Sequence, residues 1–223
     1  MNVQIGKKDV LTFIPNLIGY VRVILGLTPI FIYNKYNYLL VVLFYCVSQI
    51  LDAFDGYFAR LFKQETKFGA LLDMITDRCS TIVMIVINIS LYHNNDSFFK
   101  CALILLLIDI SGHWIYMISS IISGIGSHKN INSGMWKPLK IYYSNKIILF
   151  TLHACNELMW IVNYMQYFIL NGKDGNNINV LSLINRYILI PLGILKNVMN
   201  FIHLLYGLNI LLELDIGERS EGK

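Results

Sequence analysis

The sequence predicts an all-α fold, a polytopic membrane protein built as a six-transmembrane-helix bundle, and three observations predict it. The 223 residues are 56% hydrophobic and only 14% charged, where a soluble domain carries about 25% charged residues. The apolar residues fall in runs of about 20, enough to cross a hydrocarbon core of roughly 30 Å as a helix. The breaks between runs are short and polar. Six runs take up nearly the whole chain, which leaves one transmembrane domain over 1–223 and no separate soluble domain. Any chemistry must then lie within or beside the bundle.

The first run, 14–33, follows Lys7 and Lys8 and continues without a small-residue cleavage site, so it is expected to stay as a span. After Asn34–Asn37 comes the second, 38–61, and after Phe62–Phe68 the third, 69–92. His93–Ser97 leads into the fourth, 98–123. A longer segment, Gly124–Tyr143, separates it from the fifth, 144–170, and the Asn/Gly-rich Asn171–Asn179 precedes the sixth, 181–212. A short acidic tail, 213–223, closes the chain.

Cationic residues set the orientation, because cytoplasmic connectors retain Lys and Arg. Lys7, Lys8, Arg60, Lys63, Lys67, Lys129, Lys137, Lys140, Lys146, Arg219 and Lys223 lie on one side of this threading, and only Lys35, Lys100 and Lys173 on the other. Both termini and the tail are therefore expected in the cytosol. The net charge of +4 is scattered among the spans and forms no stripe, which argues against a nucleic-acid partner. Cys46, Cys79, Cys101 and Cys155 sit singly in apolar runs, with neither zinc-ligand nor disulfide spacing.

Four of the nine aspartates, Asp52, Asp55, Asp73 and Asp77, fall at the end of the second run and the start of the third. An ionised carboxylate in a membrane helix costs about 2.5 to 3.5 kcal/mol on insertion scales, so four of them demand a cation or a wet cavity. Asp52 and Asp55 are three apart and Asp73 and Asp77 four apart, so each pair projects from one helix face. The short connector predicts antiparallel neighbours whose pairs face each other near the cytosolic end. Four hard oxygen ligands suit one or two divalent cations such as Mg2+ or Mn2+, and two such ions can clamp the oxygens of a phosphoryl displacement. Gly56 and Gly69 allow close approach of a substrate or of a neighbouring helix. Arg60 shares the Asp52/Gly56 face and can grip phosphate. Thr66 offers a hydroxyl or a helix cap.

The complete pattern, D-x-x-D-G-x-x-A-R, eight residues, then G-x-x-x-D-x-x-x-D, is carried by Asp52, Asp55, Gly56, Ala59, Arg60, Gly69, Asp73 and Asp77. It resembles the signature of the CDP-alcohol phosphatidyltransferases. The resemblance implies a six-helix bundle with its site open to the cytosolic interface. It implies that Asp52, Asp55 and Asp73 bind two catalytic Mg2+ or Mn2+ ions. Asp77 would be the base that deprotonates the acceptor hydroxyl and would also touch the second metal. Gly56, Arg60 and Thr66 would contact the CDP moiety of a lipid donor. The resemblance also implies a homodimer, an assembly common in that family.

The signature is shared by enzymes with different acceptors. Three further stretches, Ile14–Arg22, Phe68–Cys79 and Asp109–Trp114, resemble eukaryotic members that use inositol. The implied reaction transfers the phosphatidyl group of CDP-diacylglycerol to myo-inositol with release of CMP, in the endoplasmic reticulum membrane. Alternatives are a glycerol 3-phosphate or serine acceptor and, from another class, an ion transporter using intramembrane carboxylates. A transporter would spread its acids over several helices; here they cluster at one end of two.

The remaining polar residues have two meanings each. Asp109 and His113, four apart in the fourth run, either bind acceptor hydroxyls or satisfy each other. Arg22 meets a phosphate or pairs with a motif carboxylate, and Asn16 contacts donor or caps the first span. Arg78 is expected to neutralise nearby carboxylates, Glu157, Arg186 and Lys196 to form interhelical pairs or snorkel, and His153 and His203 to be packed.

Overall fold

The computed structural model describes residues 6–34, 37–123, 135–171 and 180–220, and every element among them is helical. They are α1 (Lys7–Leu11), α2 (Ile14–Leu27), α3 (Pro29–Ile32), α4 (Tyr38–Leu61), α5 (Lys67–Leu91), α6 (Asp96–Ile122), α7 (Lys137–Ser144), α8 (Lys146–Asn171), α9 (Val180–Ile184), a π turn (Asn185–Leu189) and α10 (Ile190–Ser220). Four stretches, Ile14–Ile32, Tyr38–Leu61, Asp96–Ile122 and Val180–Ser220, are long and apolar enough to cross a membrane. The chain is an integral membrane protein. Ile24, Phe31, Leu107, Ile121 and Phe150 lie on its outside, where lipid and not water is the fitting solvent. The helices α5 and α8 have 25 and 26 residues, about 38 Å at 1.5 Å per residue, but carry more polar groups.

Local chemistry sets the helix ends. Asn37 caps α4 by accepting from the Leu39 N–H at 3.0 Å, and Asn95 caps α6 by accepting from Phe98 at 3.0 Å. Thr66 Oγ1 accepts from the Gly69 N–H at 2.9 Å at the start of α5. Lys63 closes α4 with a positive φ of 54°, which lets the Gln64 N–H reach the Ala59 carbonyl at 2.9 Å. Pro29 and Pro191 have no N–H to give the preceding turn. The first span accordingly breaks between α2 and α3, and the last widens into the π turn just before Pro191, where the Ile190 N–H bonds the Asn185 carbonyl.

Two features depart from the sequence expectation. A short helix, α7, forms inside the segment expected to be a connector, with Pro138 in its first turn. The last helix runs on to Ser220, so most of the expected tail is helical. Between the fourth and fifth runs only the part from Met135 is described, and residues 172–179 lie outside the described set, as do Lys35, Lys129, Lys173 and Lys223.

The described residues divide into two compact units. The first comprises those of Met1–Leu91 and Tyr164–Gly175. Here α2 packs against both α4 and α5, which touch each other only slightly. The expected direct α4–α5 pairing is thus mediated by α2. The end of α8 joins this unit through Tyr164, whose hydroxyl donates to the Tyr33 carbonyl at 3.2 Å, and through Phe168, stacked on Tyr38 at 5.8 Å.

The second unit comprises the described residues of Tyr92–Asn163 and Asn176–Lys223. Its centre is the crossing of α6 and α10. A Cβ at Gly112 would collide with the Asn200 carbonyl oxygen, and one at Gly207 would lie 3.0 Å from the Tyr116 backbone. The two glycines thus permit near-backbone contact, the small-residue packing typical of membrane helices. Tyr116, Leu139, Tyr142, Leu152, Met199, Tyr206 and Ile210 form its buried apolar core.

Candidate active site

The two aspartate pairs come from the last turns of α4 and the first turns of α5, and both belong to the first unit. The helix α2 brings them together. A Cβ at Gly19 would sit 2.9 Å from Leu72 Cδ2, and one at Gly26 would collide with Ser80 Oγ. The two glycines draw α2 against α5 on either side of Arg22. Ser48 Oγ on α4 donates to the Arg22 carbonyl at 3.0 Å, fixing α2 on its other flank.

Arg22 is 1% exposed and touches all four carboxylates. Its Nη2 lies 2.6 Å from Asp52 Oδ1 and 2.5 Å from Asp77 Oδ1; its Nη1 donates to Asp73 Oδ1 at 2.9 Å and to Asp55 Oδ2. Ligand oxygens of Asp52, Asp55 and Asp73 lie within 4.8 Å of one another. The Asp55 side chain is nearly buried, whereas those of Asp52, Asp73 and Asp77 are between 30% and 40% exposed. The cluster is therefore open on one side. Of the two possibilities for Arg22, the ion pair is the one observed, and it engages four carboxylates instead of one.

Around the cluster, the absent side chain of Gly56 leaves a space beside the exposed guanidinium of Arg60, whose Nη1 lies 3.5 Å from where a Cβ would be. A Cβ at Gly69 would meet Asn16 Oδ1 at 2.9 Å and Thr66 Oγ1 at 3.2 Å. Gly69 thus brings these two side chains together. Thr66 caps α5 as described, and Asn16, buried, donates to the Val10 carbonyl at 2.5 Å. Asn16 therefore ties α1 to α2. Arg78 is buried on α5.

The family model for CDP-alcohol phosphatidyltransferase matches residues 12–170. The chain belongs to the CDP-alcohol phosphatidyltransferase family. It is 35% identical over 218 residues to the human protein named CDP-diacylglycerol–inositol 3-phosphatidyltransferase, covering 97% of this chain and 99% of that one. The protein of the same name from Candida albicans is 35% identical, over 98% of this chain and 90% of its own. That from Saccharomyces cerevisiae is 33% identical, over 98% and 94%. No solved structure matches the chain.

The second unit of this CDP-alcohol phosphatidyltransferase holds a further group of buried charges. Asp109 Oδ1 accepts from Lys196 Nζ at 2.6 Å and from Asn200 Nδ2 at 2.8 Å, all three residues being buried. His113 Nδ1 bonds the Asp109 main-chain carbonyl at 2.8 Å and lies 3.7 Å from its Oδ1. The Asp109 carboxylate is thus satisfied chiefly by α10 and only secondarily by His113. The interhelical pair expected of Lys196 is observed. The signal for Asn200 in the sequence is its place one helical turn after the last span's lysine. Asn197 extends the network by donating to Asn156 Oδ1 at 3.1 Å. His203 is packed among Tyr116, Tyr142 and Tyr143, and it bonds the Tyr143 hydroxyl at 2.8 Å.

Proposed function

We propose that this protein is a phosphatidylinositol synthase, which transfers the phosphatidyl group of CDP-diacylglycerol to myo-inositol and releases CMP. The observation that carries the choice of acceptor is the identity of 33–35%, over nearly the full length, to proteins named for that reaction. The signature alone is common to enzymes with other acceptors.

The donor set fits a divalent metal site. Its ligands are hard carboxylate oxygens, and their 4.8 Å spread needs only a small contraction to reach the roughly 4.2 Å that separates opposite ligands of one Mg2+ at about 2.1 Å. Asp52, Asp55, Asp73 and Asp77 would hold the ions, Mg2+ or Mn2+, two per site. Bound divalent cations supply charge neutralisation of the donor diphosphate and of the departing CMP. Asp77 takes the proton of the attacking inositol hydroxyl. The hydroxyl oxygen bonds to the phosphorus carrying diacylglycerol, and the bond from that phosphorus to the CMP oxygen breaks. Arg60 grips the donor phosphates, with Gly56 leaving room for them. Thr66 and Asn16 shape the CDP side through the Gly69 turn.

Asp109 and His113, whose ring nitrogen bonds the Asp109 carbonyl at 2.8 Å, are the acceptor-binding pair of this reading. The protein works as a homodimer in the endoplasmic reticulum, with α5 and α8 completing six spans and the site facing the cytosol. The distribution of Lys and Arg supports that orientation.

The test uses protein purified in detergent with CDP-diacylglycerol and Mg2+ or Mn2+. CMP release is followed with inositol, glycerol 3-phosphate, serine or no acceptor. Release with inositol alone, abolished by EDTA, is the expected result. Release with a different acceptor would overturn the acceptor assignment, and no release from folded protein would overturn the enzymatic one.

A further inference from the structure

We infer that Arg22 is a resident counter-cation of the metal site: it holds the four carboxylates converged when no divalent ion is bound. The inference rests on the assignment of those carboxylates as metal ligands. Its own support is the geometry of Arg22. One guanidinium reaches one oxygen from each of Asp52, Asp55, Asp73 and Asp77, with two carboxylates at each terminal nitrogen.

The electrostatics explain why a cation is needed there. Ionised together, four carboxylates against one guanidinium would leave three negative charges in a small volume, and without Arg22 there would be four. Like charges so close repel one another, and the side chains would splay apart. Two divalent cations turn the balance to one net positive charge with Arg22 in place, which favours a diphosphate. Carboxylates already converged on Arg22 give metal and donor an assembled site and lower the cost of ordering it.

The fold commits Arg22 to this position. Gly19 and Gly26, one turn to either side, bring α2 into contact with α5, and the bond from Ser48 to the Arg22 carbonyl fixes its backbone. An arginine placed only to offset one charge would not require such close approach on both sides. Arg22 is thus a positioning residue, acting through the metal ligands.

The experiment compares wild type, Arg22→Met, Arg22→Lys and Arg22→Met combined with Asp52→Asn, each in detergent, by thermal unfolding in EDTA and in Mn2+, with Mn2+ binding followed by electron paramagnetic resonance. Arg22→Met removes the charge at similar volume. Its midpoint in EDTA should fall by about 5 °C or more and be largely restored by Mn2+, so its gap between the two conditions exceeds that of the wild type. Arg22→Lys should behave nearly as the wild type. Removing one repelling carboxylate in the double variant should recover part of the loss in EDTA. If the wild type binds Mn2+ and Arg22→Met shows the same gap, the inference is overturned and the metal assignment stands. If the wild type binds no Mn2+, both fall. Should Arg22→Met not fold even with Mn2+, a folded double variant supports the charge role, and a double variant that also fails to fold overturns it in favour of packing.

Discussion

Replacing Lys196 by Met should destabilise the second unit far more than a loss of packing would. The Lys196 side chain is wholly buried and its Nζ lies 2.6 Å from Asp109 Oδ1, itself on a carboxylate that is only 3% exposed. Removing one partner of a buried ion pair costs about 3 to 5 kcal/mol, because the other charge is left without compensation. The Asn200 amide still donates to Asp109, which places the loss near the lower end, about 3 kcal/mol. For a chain of this size each kcal/mol moves the unfolding midpoint by about 2 to 4 °C, so the expected fall is about 6 to 12 °C. Unfolding of the detergent-solubilised protein, read by intrinsic fluorescence, measures it. Lys196→Met combined with Asp109→Asn removes both charges and should recover most of the loss, since a neutral replacement of a buried pair is often tolerated. A Lys196→Met midpoint within about 2 °C of the wild type, or a double variant as unstable as the two single losses added, would refute the reasoning.

Asp77→Asn should lower CMP release by about 100-fold or more, the typical contribution of a general base, while CDP-diacylglycerol binding is retained; turnover near the wild-type rate would remove Asp77 from that role. Gly112→Val forces a side chain into the Asn200 backbone and should cost about 1 to 3 kcal/mol, read as a lower unfolding midpoint; an unchanged midpoint would mean that the α6–α10 crossing is not tight. Thr66→Ala removes the acceptor for the Gly69 N–H and should cost about 0.5 to 2 kcal/mol, while Thr66→Ser keeps it. If Thr66→Ser matches the wild type in stability but raises the KM for CDP-diacylglycerol, the methyl group has a part in donor binding beyond the cap.

Most helix boundaries were legible to within a few residues because bilayer thickness dictates the length of an apolar run and polar caps mark its ends. Asn37 and Asn95 are such marks. The aspartate quartet was legible for a related reason: charges are costly in lipid, and spacings of three and four place each pair on one helix face. The short helix α7 was harder to see. It is brief and lies in a polar stretch, and its buried Leu139 and Tyr142 earn their place by packing with residues of α8 and α10. Continuation of α10 through Ser220 was hidden as well, since a polar segment can stay helical without being apolar.

By itself the sequence determined the membrane class, the order of the helices and the family signature, because each depends on residues close together in the chain and on the solvent that surrounds them. Tertiary structure alone decided which charges meet. Arg22 lies 30 to 55 residues from the four aspartates it joins, and Lys196 lies 87 residues from Asp109. Nothing local in the sequence marks Arg22 or Lys196 as these partners. Glycines at 19, 26, 112 and 207 admit close helix contact, and the approach of the backbones then sets which cation reaches which carboxylate.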